Sequence, residues 1–204
     1  MIADIIDGVI KYNFDFELSK PLDEIDFFDI EFVRERLFAL GLIGVTKDGI
    51  GYGNISKRVN RDSFIITGTQ TGNLKHLNGS KYALIEEYND KEFYLKSTGA
   101  IKPSSEALTH GTIYNLSEDI GAVIHIHSNP LWRFMLKGKY LKTDRVEYGS
   151  IGMIDEVNRI FSNIKPLDNS KFVMRGHKEG IIVFGRSLNE AEFSLFKILR
   201  RYFR

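Results

Sequence analysis

Two imidazoles stand one residue apart inside an apolar run, Val123-Ile-His-Ile-His127. In a β-strand, residues i and i+2 face the same side, so His125 and His127 project together while Ile124 and Ile126 enter the opposite face. Two imidazoles at this spacing can share a metal ion. They read equally as hydrogen-bonded histidines on a half-exposed strand. The chain holds 5 histidines and no cysteine. Any metal must therefore be held by His, Asp or Glu, and disulfides, thiolate nucleophiles and cysteine-held clusters are excluded. His177 precedes a second apolar run flanked by Gly180 and Gly185, and His76 has no partner in sequence and reads as structural.

Three further segments suit an anion. Gly51-Tyr-Gly53 leads into Asn54-Ile-Ser56. The glycines allow close backbone approach, and Asn54 and Ser56 offer hydrogen bonds. A dinucleotide fingerprint is excluded, because its third glycine position is Ser56 and the context is loop into strand. A plain tight turn entering a strand fits these residues as well. Thr67-Gly-Thr-Gln-Thr-Gly72 is either a hydroxyl-rich anion loop or a solvated turn. Pro103-Ser-Ser-Glu106 signals a helix start with Ser104 or Ser105 as N-cap, where free N–H groups and the helix dipole suit a phosphate or carboxylate. Glu106 in that first turn is an acid/base candidate or simply a carboxylate that the dipole favours. His110 lies one turn later on the same helix face; it reads as a spare ligand, a group supporting the ligands, or half of a surface Glu–His pair.

The elements that must position these residues follow from periodicity and punctuation. Residues 29–40 have helical spacing, with Ile30, Phe32, Val33, Leu37 and Leu40 as the apolar stripe and Gly41 and Gly44 ending it. Strands are expected over 54–59, 64–67, 82–87, 92–95, 121–127, 172–174 and 181–184. Helices are expected from Ser104 or Ser105 to about 116, over 129–135, 151–161 and 188–204. Several strands are joined by short turns, which favours a mixed or antiparallel sheet with helices packed outside it over a doubly wound parallel sheet. Trp132 and the closing stripe of Leu195, Ile198, Leu199 and Tyr202 read as packing.

Composition bounds the function. The chain has 204 residues, 43% hydrophobic and 27% charged, which describes one soluble globular domain spanning 1–204. Lys+Arg number 28 against 27 for Asp+Glu, so no overall charge argues for nucleic acid or a membrane surface. Residues 1–10 carry Asp4 and Asp7 and lack the basic region and small-residue cleavage site of a signal peptide. No apolar run approaches the roughly 20 residues that span a bilayer. A cytoplasmic protein is expected.

The order of these motifs resembles the class II aldolase/adducin family, in the manner of a divergent fuculose-phosphate-aldolase-like member. Gly53-Asn-Ile-Ser56, Pro103-Ser-Ser-Glu106, Gly121-Ala-Val-Ile-His-Ile-His-Ser128 and Met174-Arg-Gly-His177 with Gly180-Ile-Ile-Val-Phe-Gly185 match its motifs in sequence over about residues 32–192. The resemblance implies an α/β fold of three α/β/α layers with a mostly antiparallel central sheet. It implies zinc, or another divalent transition metal, on His125, His127 and His177, with Glu106 as acid/base. It implies phosphate held by Gly53, Asn54, Ser56, Thr71, Gly72, Ser104 and Ser105 through backbone and hydroxyl donors. The implied activity is that of a metal-dependent aldehyde-lyase in carbohydrate metabolism, acting on a small sugar phosphate or related ketose through a metal-stabilised enediolate. The same site also serves pentulose-phosphate 4-epimerisation or a dehydration of the methylthioribulose-phosphate type, and adducin heads carry the fold as a non-catalytic interaction module. A homotetramer with inter-subunit active sites is implied, with no nucleic-acid or membrane partner.

This chain departs from the family at three places. The Thr-x-Thr-Gly loop holds two extra residues, so either Thr67/Gly68 or Thr71/Gly72 is the matching pair, and Asn73-Leu-Lys-His-Leu77 favours the second. His177-Lys-Glu-Gly180 stands where many members read His-Gly. Residues 136–145 are too short to match the segment bearing the family's inter-subunit tyrosine, for which Tyr140 is a weak substitute.

Overall fold

The structure, a computed structural model, describes residues 9–204. Most of the 1–10 segment read against a signal peptide thus lies outside the described residues. Strand β1 (Asn13–Leu18) and helix α1 (Glu24–Ala39) are followed by a two-stranded hairpin, β2 (Gly44–Val45) and β3 (Gly51–Tyr52). Next come β4 (Asn54–Asn60), β5 (Ser63–Thr67), β6 (Tyr82–Asn89), β7 (Tyr94–Gly99) and helix α2 (Ala107–Asn115). The second half runs β8 (Ala122–His127), α3 (Asn129–Lys137), β9 (Leu141–Lys142), α4 (Ile151–Phe161), β10 (Lys171–Val173), β11 (Gly180–Gly185) and α5 (Leu188–Tyr202).

Nine strands form one sheet in the order β1-β7-β6-β5-β4-β8-β11-β10-β9. Every pairing is antiparallel except the two at the edges, β1 with β7 and β9 with β10. Helices α1, α3 and α5 cover one face, where Ile30, Val33, Leu37, Leu131, Met135, Leu195 and Ile198 meet Ile55, Ile124, Ile126, Ile181 and Val183. Helices α2 and α4 cover the other, where Ala107, Leu108, Ile113, Met153, Val157 and Phe161 meet Phe64, Ile66, Val123, Ile182 and Phe184. This is the three-layer architecture expected from the sequence.

Central position fixes the register of β8. It lies between β4 and β11, and all six of its residues are buried. A slip by one residue would swap Ile124 and Ile126 with the two histidines, moving apolar and polar side chains to the wrong layers. Each isoleucine buried there contributes about 1.5–3 kcal/mol, so the alternation strongly specifies which face carries the imidazoles. The half-exposed strand that the sequence allowed is replaced by one covered on both faces.

Several boundaries differ from the sequence reading, among them β7, which runs Tyr94–Gly99 against the expected 92–95, and two bear on the site. Helix α1 begins at Glu24, and its buried stripe is Phe27, Ile30, Val33 and Leu37 together with Glu31 and Arg34. Phe32 and Leu40 are exposed, so they do not belong to that stripe. Helix α2 begins at Ala107 with Glu106 at the N-cap position, not Ser104 or Ser105. Ser104 instead accepts the Glu106 N–H through Oγ at 3.3 Å and the Ala107 N–H through its carbonyl at 3.0 Å, forming a turn before the helix. Strand β1 alternates polar and apolar residues over Asn13–Leu18 and is missing from the strands expected from sequence, whereas β2, β3 and β9, two residues each, are too short to show a period. Trp132 donates to the Met174 carbonyl at 2.8 Å, and Tyr202 packs edge-on to Phe134, so both act in packing within the chain.

Candidate functional site

Neighbouring strands bring the polar groups together. In the ladder, Asn54 of β4 stands opposite His125, and Gly180 of β11 stands opposite His127. His177 arrives from the turn before β11, where the Gly180 N–H donates to the His177 carbonyl at 3.0 Å. The side chains of His125, His127 and His177 converge so that one ring nitrogen from each lies within 4.8 Å of the others, and all three are buried. The Nε2 atoms of His127 and His177 are 2.9 Å apart. Gly180 makes this convergence possible. A Cβ there would sit 2.8 Å from His177 Cδ2 and 3.2 Å from His125 Nε2, in the space the two rings use.

Glu106 reaches the same cluster from the start of α2. Its Oε2 accepts a hydrogen bond from Asn54 Nδ2 at 2.9 Å and pairs with His125 Nδ1. Among the described residues its Oε1 has no partner, and neither do His125 Nε2 and Asn54 Oδ1, although all three atoms are buried. A buried polar atom without a partner normally costs about 1–3 kcal/mol. Unpartnered atoms on three converging side chains are what a site built for an occupant presents.

The electrostatics suit a cation. Burial raises the Glu106 pKa, but the His125 and His177 charges and the bonds from His125 and Asn54 outweigh it, and the carboxyl lies well below its usual range. Burial pushes the His127 pKa down, and neighbouring His125 and His177 push it further, which favours the neutral imidazole that a metal requires. With Nδ1 directed to Glu106, His125 leaves Nε2 for coordination, the carboxylate–histidine arrangement that orients metal-binding imidazoles. Three neutral imidazoles fit zinc or another divalent transition ion and leave coordination positions open.

These groups line one small polar cavity. Gly53, Asn54, Thr71, Gly72, Ser104, Ser105 and Glu106 line it together with the three histidines. Ser56 does not. It is fully buried, and its Oγ contacts His110 Nδ1 at 2.7 Å and the Tyr114 hydroxyl at 2.8 Å, so its place is behind the cavity. His110 is likewise fully buried, so it is no surface partner of Glu106, and it lies outside the three-histidine cluster. Burial pushes its pKa down to about 3 despite the opposing charge of Glu106.

Both candidate pairs of the threonine loop come near the cavity, since Gly68 lines it as well as Thr71 and Gly72. Thr67 is buried and accepts the Ile55 N–H through Oγ1 at 3.3 Å, whereas Thr71 and Gly72 reach the cavity. Thr71 Oγ1 itself donates to the Gly68 carbonyl at 2.9 Å, so this hydroxyl is already engaged within the loop. Among the side chains that sequence reasoning did not single out, Tyr52 stacks on His127 with ring centroids 5.2 Å apart. Tyr148 lies 4.8 Å from the His177 ring, and Gln70 lines the rim. The signal for Tyr52 was present, since it lies between two glycines; Tyr148 is brought in only by the approach to α4. Tyr140 does not line this cavity. His76 pairs with Glu35 at 2.6 Å on the surface.

A family model for the class II aldolase and adducin N-terminal domain matches residues 44–201, most of the chain. The chain belongs to the class II aldolase/adducin family. Among solved structures it is similar to an L-fuculose 1-phosphate aldolase, with TM-score 0.65 and 17% identity over 89% of this chain and 84% of that one. It is also similar to YgbL from Klebsiella pneumoniae, with TM-score 0.64 and 18% identity over 88% and 87%. A third is the N-terminal class II aldolase domain of a conserved protein from Thermoplasma acidophilum, with TM-score 0.59 and 14% identity over 90% and 95%. At these identities the likeness establishes the fold. Class II aldolases are generally dependent on a divalent metal, and family members are typically lyases or related enzymes. Among the described residues no helix is long and apolar enough to cross a membrane.

Proposed function

We infer that this class II aldolase-family chain is a divalent-metal-dependent lyase acting on a small ketose, in its simplest form a sugar phosphate. The observation that carries the reading is the convergence of His125, His127 and His177 beside Glu106, whose Oε1 has no partner among the described residues. A divalent ion on the three imidazoles, zinc being the first choice, supplies Lewis-acid polarisation of a substrate carbonyl or hydroxyl oxygen.

The protein's own groups do the rest. Asn54 Nδ2 holds Glu106 Oε2, which leaves Oε1 to exchange a proton with the substrate. In the cleavage direction ionised Glu106 takes, through Oε1, the proton of the hydroxyl next to the breaking C–C bond, and that carbon becomes an aldehyde as the bond breaks; this is the proton that it then gives up. The electron pair of that bond passes to the ketone fragment as an enediolate, and Glu106 delivers a proton to its carbon. Ser104, Ser105 and the Thr71–Gly72 backbone supply donors for the anionic end of the substrate without a lysine or arginine in the lining. Tyr52 keeps His127 in place by stacking. Assembly into a homotetramer, in which a neighbouring subunit closes the cavity mouth, belongs to the same reading, as does a cytoplasmic location.

Two measurements test it. Metal analysis of the purified chain is expected to find one divalent ion that the His125→Ala/His127→Ala variant lacks, and a wild type that takes up no such ion overturns the reading. A panel of ketose phosphates, followed by detection of released aldehyde, separates cleavage from epimerisation and dehydration at the same site. Turnover that survives Glu106→Gln unchanged removes the acid/base role.

A further inference from the structure

The residues that carry Thr71 and Gly72 to the cavity lie between β5 and β6, mostly outside regular structure, and they are fastened from behind. Arg34, on the core-facing stripe of α1, is 1% exposed. Its Nη2 donates to the Thr71 carbonyl at 3.2 Å and to the Leu74 carbonyl, and its Nη1 donates to the Lys75 carbonyl at 3.0 Å. Three carbonyls from five consecutive residues thus converge on one guanidinium. Glu31, one turn earlier, stands 3.6 Å from Nη1. The Glu31 carboxylate also accepts the Leu77 N–H at 2.7 Å and the Tyr82 hydroxyl at 2.5 Å.

Desolvating the guanidinium offsets much of its attraction to Glu31, so the ion pair by itself is a weak reason for an arginine at this helix position. What the guanidinium adds is direction. The chain has no cis peptide among its described residues. In a planar trans peptide the C=O and N–H point opposite ways. With the Thr71 carbonyl drawn onto Arg34, the Gly72 N–H is turned away from Arg34, which is itself outside the lining that Thr71 and Gly72 share. A cation on the carbonyl also polarises the peptide and strengthens its N–H as a donor. The loop is also tied by Gln70, whose Oε1 accepts the Gly51 N–H at 2.8 Å and whose backbone is left-handed, with φ 56°. Gln70 and Arg34 therefore fasten adjacent residues of the same loop to two different elements.

We propose that Arg34 is a positioning residue for substrate binding, orienting the Thr71–Gly72 peptide so that the Gly72 N–H meets the anionic group of the substrate. It acts through the backbone and does not touch the ligand. The proposal rests on the reading of this cavity as a phosphate site.

Inorganic phosphate is the probe, titrated calorimetrically into metal-loaded wild type and variants. Arg34→Lys keeps the charge but lacks the planar fork that serves several carbonyls at once. Its phosphate Kd is expected to rise severalfold, and that of Arg34→Met about tenfold or more, with metal content unchanged. A purely structural role would lower Tm while leaving the Kd of the folded protein at the wild-type value. For a turnover substrate, KM is expected to rise more than kcat falls. If Arg34→Met does not fold, Arg34→Lys decides the matter. A folded Arg34→Lys with wild-type phosphate affinity overturns the proposal and leaves the metal-lyase reading standing. A wild type that binds no phosphate instead removes the phosphate reading of the cavity, and the role of Arg34 goes with it.

Discussion

Replacing Gly72 by alanine tests whether the anion loop and the β2–β3 hairpin are as tightly joined as the structure shows. A Cβ added at Gly72 would lie 2.2 Å from the Gly44 carbonyl oxygen, 2.8 Å from the Tyr52 nitrogen and 2.9 Å from the Tyr52 oxygen. All three are backbone atoms, so no side chain can rotate aside. The loop or the hairpin must retreat by about 1 Å, and overpacking of this kind costs about 1–3 kcal/mol. At roughly 2–4 °C per kcal/mol for a chain of this size, Tm is expected to fall by about 2–12 °C. The hairpin also carries Tyr52 against His127, so two walls of the cavity move together. A displacement of about 1 Å near reacting groups lowers rates by roughly 100-fold, which sets the expected loss in kcat/KM. Gly49→Ala is the control. Its φ of 83° is left-handed, unlike that of Gly72, but nothing lies within 4 Å of the added methyl, so it is expected to lose about 1 kcal/mol from backbone strain alone and keep its turnover. The two variants would be compared by thermal unfolding and by aldehyde release. Wild-type Tm and turnover in Gly72→Ala would refute the packing argument.

Four further outcomes are expected. Chelation of the ion from the wild type lowers Tm, because a ligand that binds only the folded chain stabilises it by mass action; the His125→Ala/His127→Ala variant is expected to show no such shift. Glu106→Gln retains the ion and loses about 10²–10⁴-fold in kcat, measured with the substrate that the panel identifies. Ser56→Ala strands His110 Nδ1 and the Tyr114 hydroxyl, costing about 1–3 kcal/mol in chemical unfolding, while phosphate affinity of the folded protein stays at the wild-type value. His110 links stability to acid: its pKa is pushed from 6.5 to about 3 in the folded chain, so the unfolded chain binds more protons between those values. Stability is fully present above about 6.5 and is lost as pH falls toward 3, a slope that urea midpoints should show flattened in His110→Gln.

The cluster was legible in the sequence to the extent that local geometry controls it. Strand period places His125 and His127 on one face whatever the fold, and the isoleucines between and before them say which face is core. The stop at Gly41 and the helix over 151–161 were equally local: Ser150 accepts the Met153 N–H at 3.3 Å, and apolar spacing does the rest. The motif order that pointed to the family carried His177 and Glu106 across sequence separations of 50 and 19 residues or more, which no periodicity could bridge. Misreadings fell where side-chain type and environment part company. Ser56 has the hydroxyl of an anion-binding residue, yet on β4 it shares a face with α2 and is enclosed by His110 and Tyr114. Phe32 has the character of a core residue, yet the stripe it seemed to belong to is turned so that a charged residue, Arg34, occupies the buried position.

The sequence by itself determined the donor chemistry, imidazole and carboxylate in the absence of cysteine, and the alternation that sets two imidazoles on one side of a strand. Only the tertiary structure decided which polar atoms are left unpartnered and facing one another. Burial of Glu106, the close approach of the His125 ring to Gly180 and the grip of Arg34 on the threonine loop all arise between residues distant in sequence. Desolvation and contact depend on what packs around a group, and that is fixed only when the layers close.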